Sequence, residues 1–457
     1  MQRSRIFVLA MAVILLLSLG LAPALAQDCD GEVIELEFMN WWGAHREALM
    51  DTLIGHFEAE NPCIRVINQV QPWDNRAELL ATAAASSNPP GIIMSTRPET
   101  YQFALSGLII PIDAYVEAEG TDISVFYDGE IGLQYWNGEL YGLPMPTAGL
   151  ISPLYFYNKN MLRDAGFDPE SPPTTWQEME EVARALTVAD AMGVEVLGTN
   201  LGSNGDAFVF WLYTNNGKYS SDDGRTLLFN SAEGVETLEW MVNFTNEING
   251  GIENMTDFFQ DTNFSQGDHP FFDDALAILH INSAAFGHLN NVAPDLYWDT
   301  DSWGVMIRPY NGENPDAKHT GVTGYNFVGA WAYTIPAAHP PEKQAAAYKF
   351  AEFIGVHELG GCAFLFAQSR PSPVKACNEN PDYYEINPYW DKVKEALAVD
   401  APVQITPVQG QLAEILTNSV EEAFFGVKSA EDALNDAHAE MQALLDEFWA
   451  EFDANNM

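Results

Sequence analysis
Positive charge is scarce in this 457-residue chain: 20 Lys+Arg stand against 65 Asp+Glu, for a formal net charge of −45. A surface this acidic repels the phosphate backbone, so nucleic acid is excluded as a partner and anionic lipid surfaces are disfavoured. Cysteine is scarce too, with four residues in all. There is no C-x-x-C pair and no H-x-x-x-H, and the nine His are scattered, so the ligand spacing of a zinc site is missing. The chain also lacks a P-loop, a G-x-G-x-x-G and a G-x-S-x-G, the motifs that cradle phosphates or present a nucleophile. No metal and no cofactor is expected. Apart from one N-terminal run, no stretch approaches the ~18 consecutive apolar residues of a membrane-spanning helix. Tandem repeats and low-complexity linkers are absent as well.

What remains is a folded composition, with 47% apolar and 19% charged residues. The length suits roughly two or three domains. Met1–Arg5 carries two arginines, Ile6–Ala22 is almost unbroken apolar sequence, and Ala24-Leu25-Ala26 is a small-x-small site. This is the tripartite build of a signal peptide over residues 1–26, with cleavage expected before Gln27. A lipoprotein would need a Cys directly after the small residues, but Gln27 and Asp28 precede Cys29. The mature protein is therefore expected in a periplasm or outside the cell, where disulfides are permitted. Four cysteines allow three pairings. The favoured one is Cys29–Cys63 with Cys362–Cys377. Cys29 and Cys63 each sit just before a predicted parallel strand, at one sheet edge. Cys362 and Cys377 flank the loop Arg370-Pro371-Ser372-Pro373.

Strand and helix patterns alternate along the mature chain. Val33–Met39 reads as a strand ending at Asn40-Trp41-Trp42-Gly43, followed by a helix with Leu49, Met50, Leu53, Ile54 and Phe57 on one face. Ile64–Val70 is a second strand, Ala77–Ala85 a helix and Ile92–Met94 a third strand. This β-α-β-α-β order predicts a parallel sheet covered by helices, with ligands beyond the carboxyl ends of the strands. Those ends are Asn40–Gly43, Gln71–Asp74 and Ser95–Arg97. A second α/β unit starts near Gly142. It holds a strand at Leu154–Tyr157, a helix opened by a capping box at Thr175 and Glu178, and strands at Ala275–Ile281 and Ala330–Ile335. Ala345–Ile354 and Ser429–Phe452 read as amphipathic helices.

Several of these segments form a recognisable series. Tyr141-Gly142-Leu143-Pro144 is followed by Leu154-Tyr155-Phe156-Tyr157-Asn158-Lys159-Asn160-Met161-Leu162, by Ala165-Gly166-Phe167-Asp168, and by Pro173-Thr174-Thr175-Trp176. Then come Asp273–Ile278, Val328-Gly329-Ala330-Trp331 with its strand, Lys343–Ile354, and Ser429-Ala430-Glu431-Asp432-Ala433-Leu434. In order and spacing the series resembles the extracellular solute-binding proteins of sugar ABC importers, the maltodextrin-binding-protein-like family. The Gly and Lys of the family's pattern are replaced at Asp273 and Asp274. The resemblance implies a two-lobed α/β fold of the periplasmic-binding-protein type (type II), each lobe a mostly parallel sheet flanked by helices, with a three-segment hinge. It assigns 27–144 and 282–338 to the first lobe, and 145–281 and 339–457 to the second. It also implies a monomeric receptor, without catalytic residues, that closes over a carbohydrate and presents it to a membrane permease.

A sugar offers apolar faces to aromatic rings and a rim of hydroxyls to Asp, Asn, Arg and Trp N–H groups. The candidate contacts are Trp42 and His45 after strand one, Trp73 and Asp74 after strand two, and Arg97 after strand three. Trp303 in a loop, Trp331 at the family's tryptophan position and Arg370 on the Cys362–Cys377 loop complete the set. Trp41, Trp176, Trp240 and Trp449 suit core packing, and Trp136 and Trp211 lie near loops. Within transport, a polyamine is the alternative solute. A glycerol phosphate would want several cations in the cleft, which so few Lys and Arg argue against. From a different class, a secreted polysaccharide-degrading enzyme would need two acids ~5–9 Å apart. Among 65 acids, pairs such as Asp273-Asp274 arise by chance.

Overall fold
The computed structural model describes residues 29, 33–72, 76–145, 153–190, 193–280, 282–325 and 331–456. The chain begins as the apolar pattern requires: β1 (Ile34–Asn40), α1 (His45–Glu60), β2 (Ile64–Val70), α2 (Arg76–Ala84), β3 (Ile92–Ser95) and α3 (Arg97–Leu105). A short hairpin follows, β4 (Tyr135–Trp136) and β5 (Glu139–Leu140), and then β6 (Leu143–Pro144). The second unit runs β7 (Leu154–Asn158), α4 (Trp176–Leu186), β8 (Val188–Asp190), β9 (Gly193–Thr199), α5 (Gly205–Thr214), β10 (Leu276–His280), α6 (Ala284–Val292) and β11 (Trp303–Ile307). After β12 (Gly321–Thr323) come β13 (Ala332–Thr334), α7 (Pro341–Gly355), β14 (Asp400–Pro402), α8 (Gln409–Phe424) and the long α9 (Ala430–Asn456).

Two five-stranded sheets organise these elements, in the orders β2-β1-β3-β13-β6 and β11-β7-β10-β9-β8. Both sheets are mixed. β1 lies parallel to β2 and β3, and β9 parallel to β10. β13 runs antiparallel to β3 and β6, and β7 antiparallel to β10 and β11. The two predicted disulfides are formed, Cys29–Cys63 and Cys362–Cys377. The first lies beside the start of the β1–β2 ladder, where Ile34 N–H donates to Cys63 O. The capping box at Thr175 and Glu178 opens α4 as its spacing required.

The strand pairings and cores correct the expected division of the chain in two places. Trp303–Ile307, expected with the first lobe, is hydrogen-bonded along β7 in the second sheet. All five residues of β11 are buried, so the strand needs cover on both faces. α6 and the helix Trp390–Val399 help supply it through Phe286, Leu289 and Val393. Conversely, α7 packs on the first sheet, not the second. Phe350 meets Phe38 of β1 at 5.2 Å and Phe57 of α1 at 5.1 Å. Cys377 and Val374 belong to that same first core. From the later chain, α8 and α9 join the second core, through Leu412, Leu416, Met441 and Leu445.

The lobes also meet away from the strand ends. Trp136, on the β4–β5 hairpin, packs against Phe448, Trp449 and Phe452 of α9 with ring centroids 6.3, 6.3 and 5.6 Å away. On its other side Trp136 meets Tyr101 of α3 at 5.0 Å.

Candidate solute-binding site
The carboxyl end of β1 is tied down by one side chain. Asn40 Nδ2 donates to Asn68 Oδ1 of β2 at 2.8 Å, and Asn40 Oδ1 accepts from Trp42 N–H at 2.9 Å. The turn then passes through Ala44 at φ 57° and ψ −139°, a conformation rare for a residue with a Cβ. It delivers His45 and Arg46 into the first turn of α1. Trp42 is 1% exposed. Its indole Nε1 donates to Tyr333 OH of β13 at 3.1 Å, and its ring stands edge-on to Phe364 at 5.0 Å.

Two guanidinium groups face that ring, Arg46 at 5.5 Å and Arg370 at 5.9 Å from its centroid. Arg46 donates to the Gly43 and Trp41 carbonyls. Arg370 donates through Nε and Nη2 to Ser283 Oγ, at 3.2 and 3.0 Å. Ser283 immediately precedes α6, so this contact joins the disulfide-bearing segment of the first core to a helix that covers β11 of the second sheet. A parallel contact lies beside it: His45 of α1 meets His288 of α6 with ring centroids 5.5 Å apart and planes at 87°. Gly287 permits the approach. A Cβ there would stand 2.8 Å from Gln368 O and 3.5 Å from His45 Nε2.

Burial and mutual repulsion set the protonation of this group. Burial draws Arg46 down to about 10. Burial, and then Arg46, draw Arg370 to about 9, against a small opposing pull from Tyr333. His288 falls to about 3, chiefly by burial and then through Arg46, His45 and Arg370. His45 is lowered by burial, Arg46 and Arg370. Both imidazoles are therefore neutral at pH 7 beside two charged guanidiniums.

Trp42, His45 and Arg370 thus come together as the sequence suggested, although Trp42 offers no open face and instead supports the two arginines. Trp331 is half-buried two residues before Tyr333, and its carbonyl accepts from Met145 N–H at 3.1 Å and Gln134 Nε2 at 3.3 Å. Arg97 is elsewhere. Buried at 2% exposure, it donates to Val403 O at 2.5 Å, to Gly324 O at 3.4 Å and to Tyr101 OH at 2.8 Å, and so braces the backbone. Trp303 is also a correction. It is a strand residue, 1% exposed, packed among Phe156, Tyr297 and Tyr389, with its Nε1 donating to Tyr297 O. Trp73 and Asp74 lie outside the described residues. Trp211 is core as well, 1% exposed, with its Nε1 on Leu201 O. Sequence reasoning missed Arg46, Ser283, His288 and Phe364. Only Arg46 carried a signal, as one of few cations in the chain and next to His45.

Residues 43–358 match the family described as bacterial extracellular solute-binding protein. The chain belongs to that family. Among its curated relatives is the sn-glycerol-3-phosphate-binding periplasmic protein UgpB of Escherichia coli K12, 23% identical over 420 residues, covering 87% of this chain and 90% of that one. Among solved structures, an ABC transporter solute-binding protein from Thermotoga lettingae bound with alpha-D-tagatose superposes with a TM-score of 0.74. It is 21% identical and covers 90% of this chain and 100% of the other. An ABC substrate-binding protein from Listeria monocytogenes in complex with cycloalternan also reaches 0.74, at 19% identity, covering 91% and 99%. The fold of this family member is accordingly the two-lobed solute-binding fold. No helix among its described residues is long and apolar enough to cross a membrane.

Proposed function
We propose that this family member is an exported, monomeric receptor that captures a carbohydrate or related polyol between its lobes and hands it to an ABC permease. The observation that carries this reading is the pair of contacts joining the lobes at the strand ends, Arg370 to Ser283 and His45 to His288. Polar, hydroxyl-matching groups from both lobes lie beside the aromatic residues Trp42 and Phe364, which supports the reading. The relatives and neighbours are named for polyhydroxylated solutes, which supports the same class. A solute touching both lobes stabilises the closed arrangement, so capture and closure are one equilibrium. Turnover is not part of this reading, and among the described residues of the cluster there are no paired carboxylates to supply acid and base. Two arginines also make it a poor seat for a polyamine.

The test is a thermal-shift screen of the protein against mono-, di- and oligosaccharides, polyols, polyamines and amino acids, with product analysis of each hit. A ligand at about 100 times its Kd should stabilise the fold by ~2.7 kcal/mol. A sugar or polyol hit without turnover is the expected result. A polyamine-only hit, or cleavage of a polysaccharide, would overturn the proposal.

A further inference from the structure
The carboxyl-terminal end of α9 already seats one cation. Arg225 lies with Cζ 4.1 Å from the ring centroid of Trp449, and its Nη1 and Nη2 donate to Asp453 Oδ2 and Oδ1 at 2.8 and 2.9 Å. A ring and a carboxylate four residues apart share one side of a helix, so this pair holds a guanidinium by quadrupole and by charge together. The neighbouring side of the same helix repeats those parts. Phe448, Glu451 and Phe452 line a cavity of about 480 Å³, and from the first lobe Leu105 of α3, Trp136 of β4 and Tyr141 line it too. Among the described residues no Lys or Arg lines this cavity. Glu451 is exposed and makes no ion pair among the described residues. The Tyr141 hydroxyl donates to Glu139 Oε2 at 2.9 Å, and burial, then Glu139 and Asp113, push its pKa up to about 12. Negative charge therefore stands on both lobes around an aromatic lining.

We propose that this cavity is a second binding site, for a small quaternary ammonium ion, lying between the lobes away from the strand ends. Aromatic faces attract a cation through their quadrupole, and a quaternary ammonium brings its charge on a methylated, weakly hydrated surface that suits them. An uncharged solute of the same shape gains the apolar contact but not the attraction of Glu451 and Glu139. An anion is repelled by both. The bound cation touches Trp136 and Tyr141 on one lobe and Phe448 and Phe452 on the other, so it favours the arrangement in which Arg370 and Ser283 also meet. Solute capture favours that same arrangement under the receptor reading, on which this coupling rests. Cation and solute should then tighten each other by one common factor, as linkage requires.

Calorimetric titration of the full mature protein tests the site with choline and tetramethylammonium, against the uncharged analogue of choline in which carbon replaces the nitrogen. Each cation replaces sodium at constant ionic strength, which removes the general pull of a chain at −45 on any positive ion. Choline should bind saturably, one per chain, and at least tenfold more tightly than its analogue. Trp136→Leu should weaken it at least tenfold and Glu451→Gln at least threefold. Glu451 is exposed, so its variant keeps the proposal open to refutation if Trp136→Leu misfolds. Binding of neither cation, or equal binding of the uncharged analogue, would overturn the site. Choline binding lost in Trp331→Ala but kept in Glu451→Gln would put the cation at the strand ends and overturn it as well. The coupling is read from the Kd of the sugar that the solute screen identifies, with and without saturating choline. A drop of at least twofold is expected, and it should vanish in Glu451→Gln; an unchanged Kd would overturn the coupling. The cation site is measured without sugar, so it stands or falls apart from the receptor reading.

Discussion
Trp42 and Arg97 both follow strand ends of the same sheet, yet the fold gives them different work. Trp42 has two guanidiniums against its ring, and Arg97 is held by backbone carbonyls. Arg97→Met should therefore lower stability by about 2–4 kcal/mol, because it removes a buried charged donor from the Val403 and Gly324 carbonyls. Urea unfolding would show the loss, while the solute Kd should move less than twofold. A large change in Kd with stability intact would return Arg97 to the binding site. Trp331→Ala is expected to do the reverse, weakening solute binding by more than ~1 kcal/mol with the fold retained. An unchanged dissociation constant in calorimetry would end its stacking role. Residue by residue, the sequence was legible where position along the chain fixes exposure. His45 follows a β-α turn and Arg370 sits on a disulfide-flanked loop, and those positions sufficed to single out two residues that the fold brings near Trp42. Trp303 was misplaced because a tryptophan at the start of a short strand gives no sign of which way its ring turns. His288 and Ser283 were invisible, since nothing in their local pattern says that α6 faces α1 across 240 residues of chain.

At the scale of elements, the alternation of strands and helices was readable, and so were the Thr175 cap and both disulfides. The sheet that a strand joins was not. Trp303–Ile307 is a fully buried run without alternation, and such a run fits either sheet equally well. α7 posed the same difficulty, because an apolar stripe specifies burial but not a partner. Two elements bear directly on the site. The Cys362–Cys377 bridge closes a segment of sequence separation 15 that contains Arg370. Replacing both cysteines by serine should lower stability by ~3 kcal/mol and loosen the arginine. A solute Kd unchanged in the double variant would show that the loop holds Arg370 without the bridge. α6 is positioned by the absence of a side chain at Gly287. Gly287→Ala would set a methyl group 2.8 Å from Gln368 O, forcing the helix away from the Arg370 turn. Solute affinity should drop at least tenfold with little change in unfolding midpoint; equal loss in both would make the glycine a packing residue only.

At the scale of the whole molecule, a chain at −45 repels anions and draws cations at long range. Salt shortens the Debye length from ~10 Å at 0.1 M to ~3 Å at 1 M and so removes that field. An uncharged sugar feels little of it, so its association rate in stopped flow should move less than twofold between those salt concentrations. A larger change would mean that opening of the lobes is itself salt-dependent. The packing of the β4–β5 hairpin on α9 also gives the molecule an optical signal. Trp136 of the first lobe and Trp449 of the second stand 6.3 Å apart with their planes inclined at 34°. Indoles that close share their electronic transitions, so the lobe angle is written into the circular dichroism of the unlabelled protein. Closure around a solute would change the amplitude of that band, giving the molecule a built-in optical protractor.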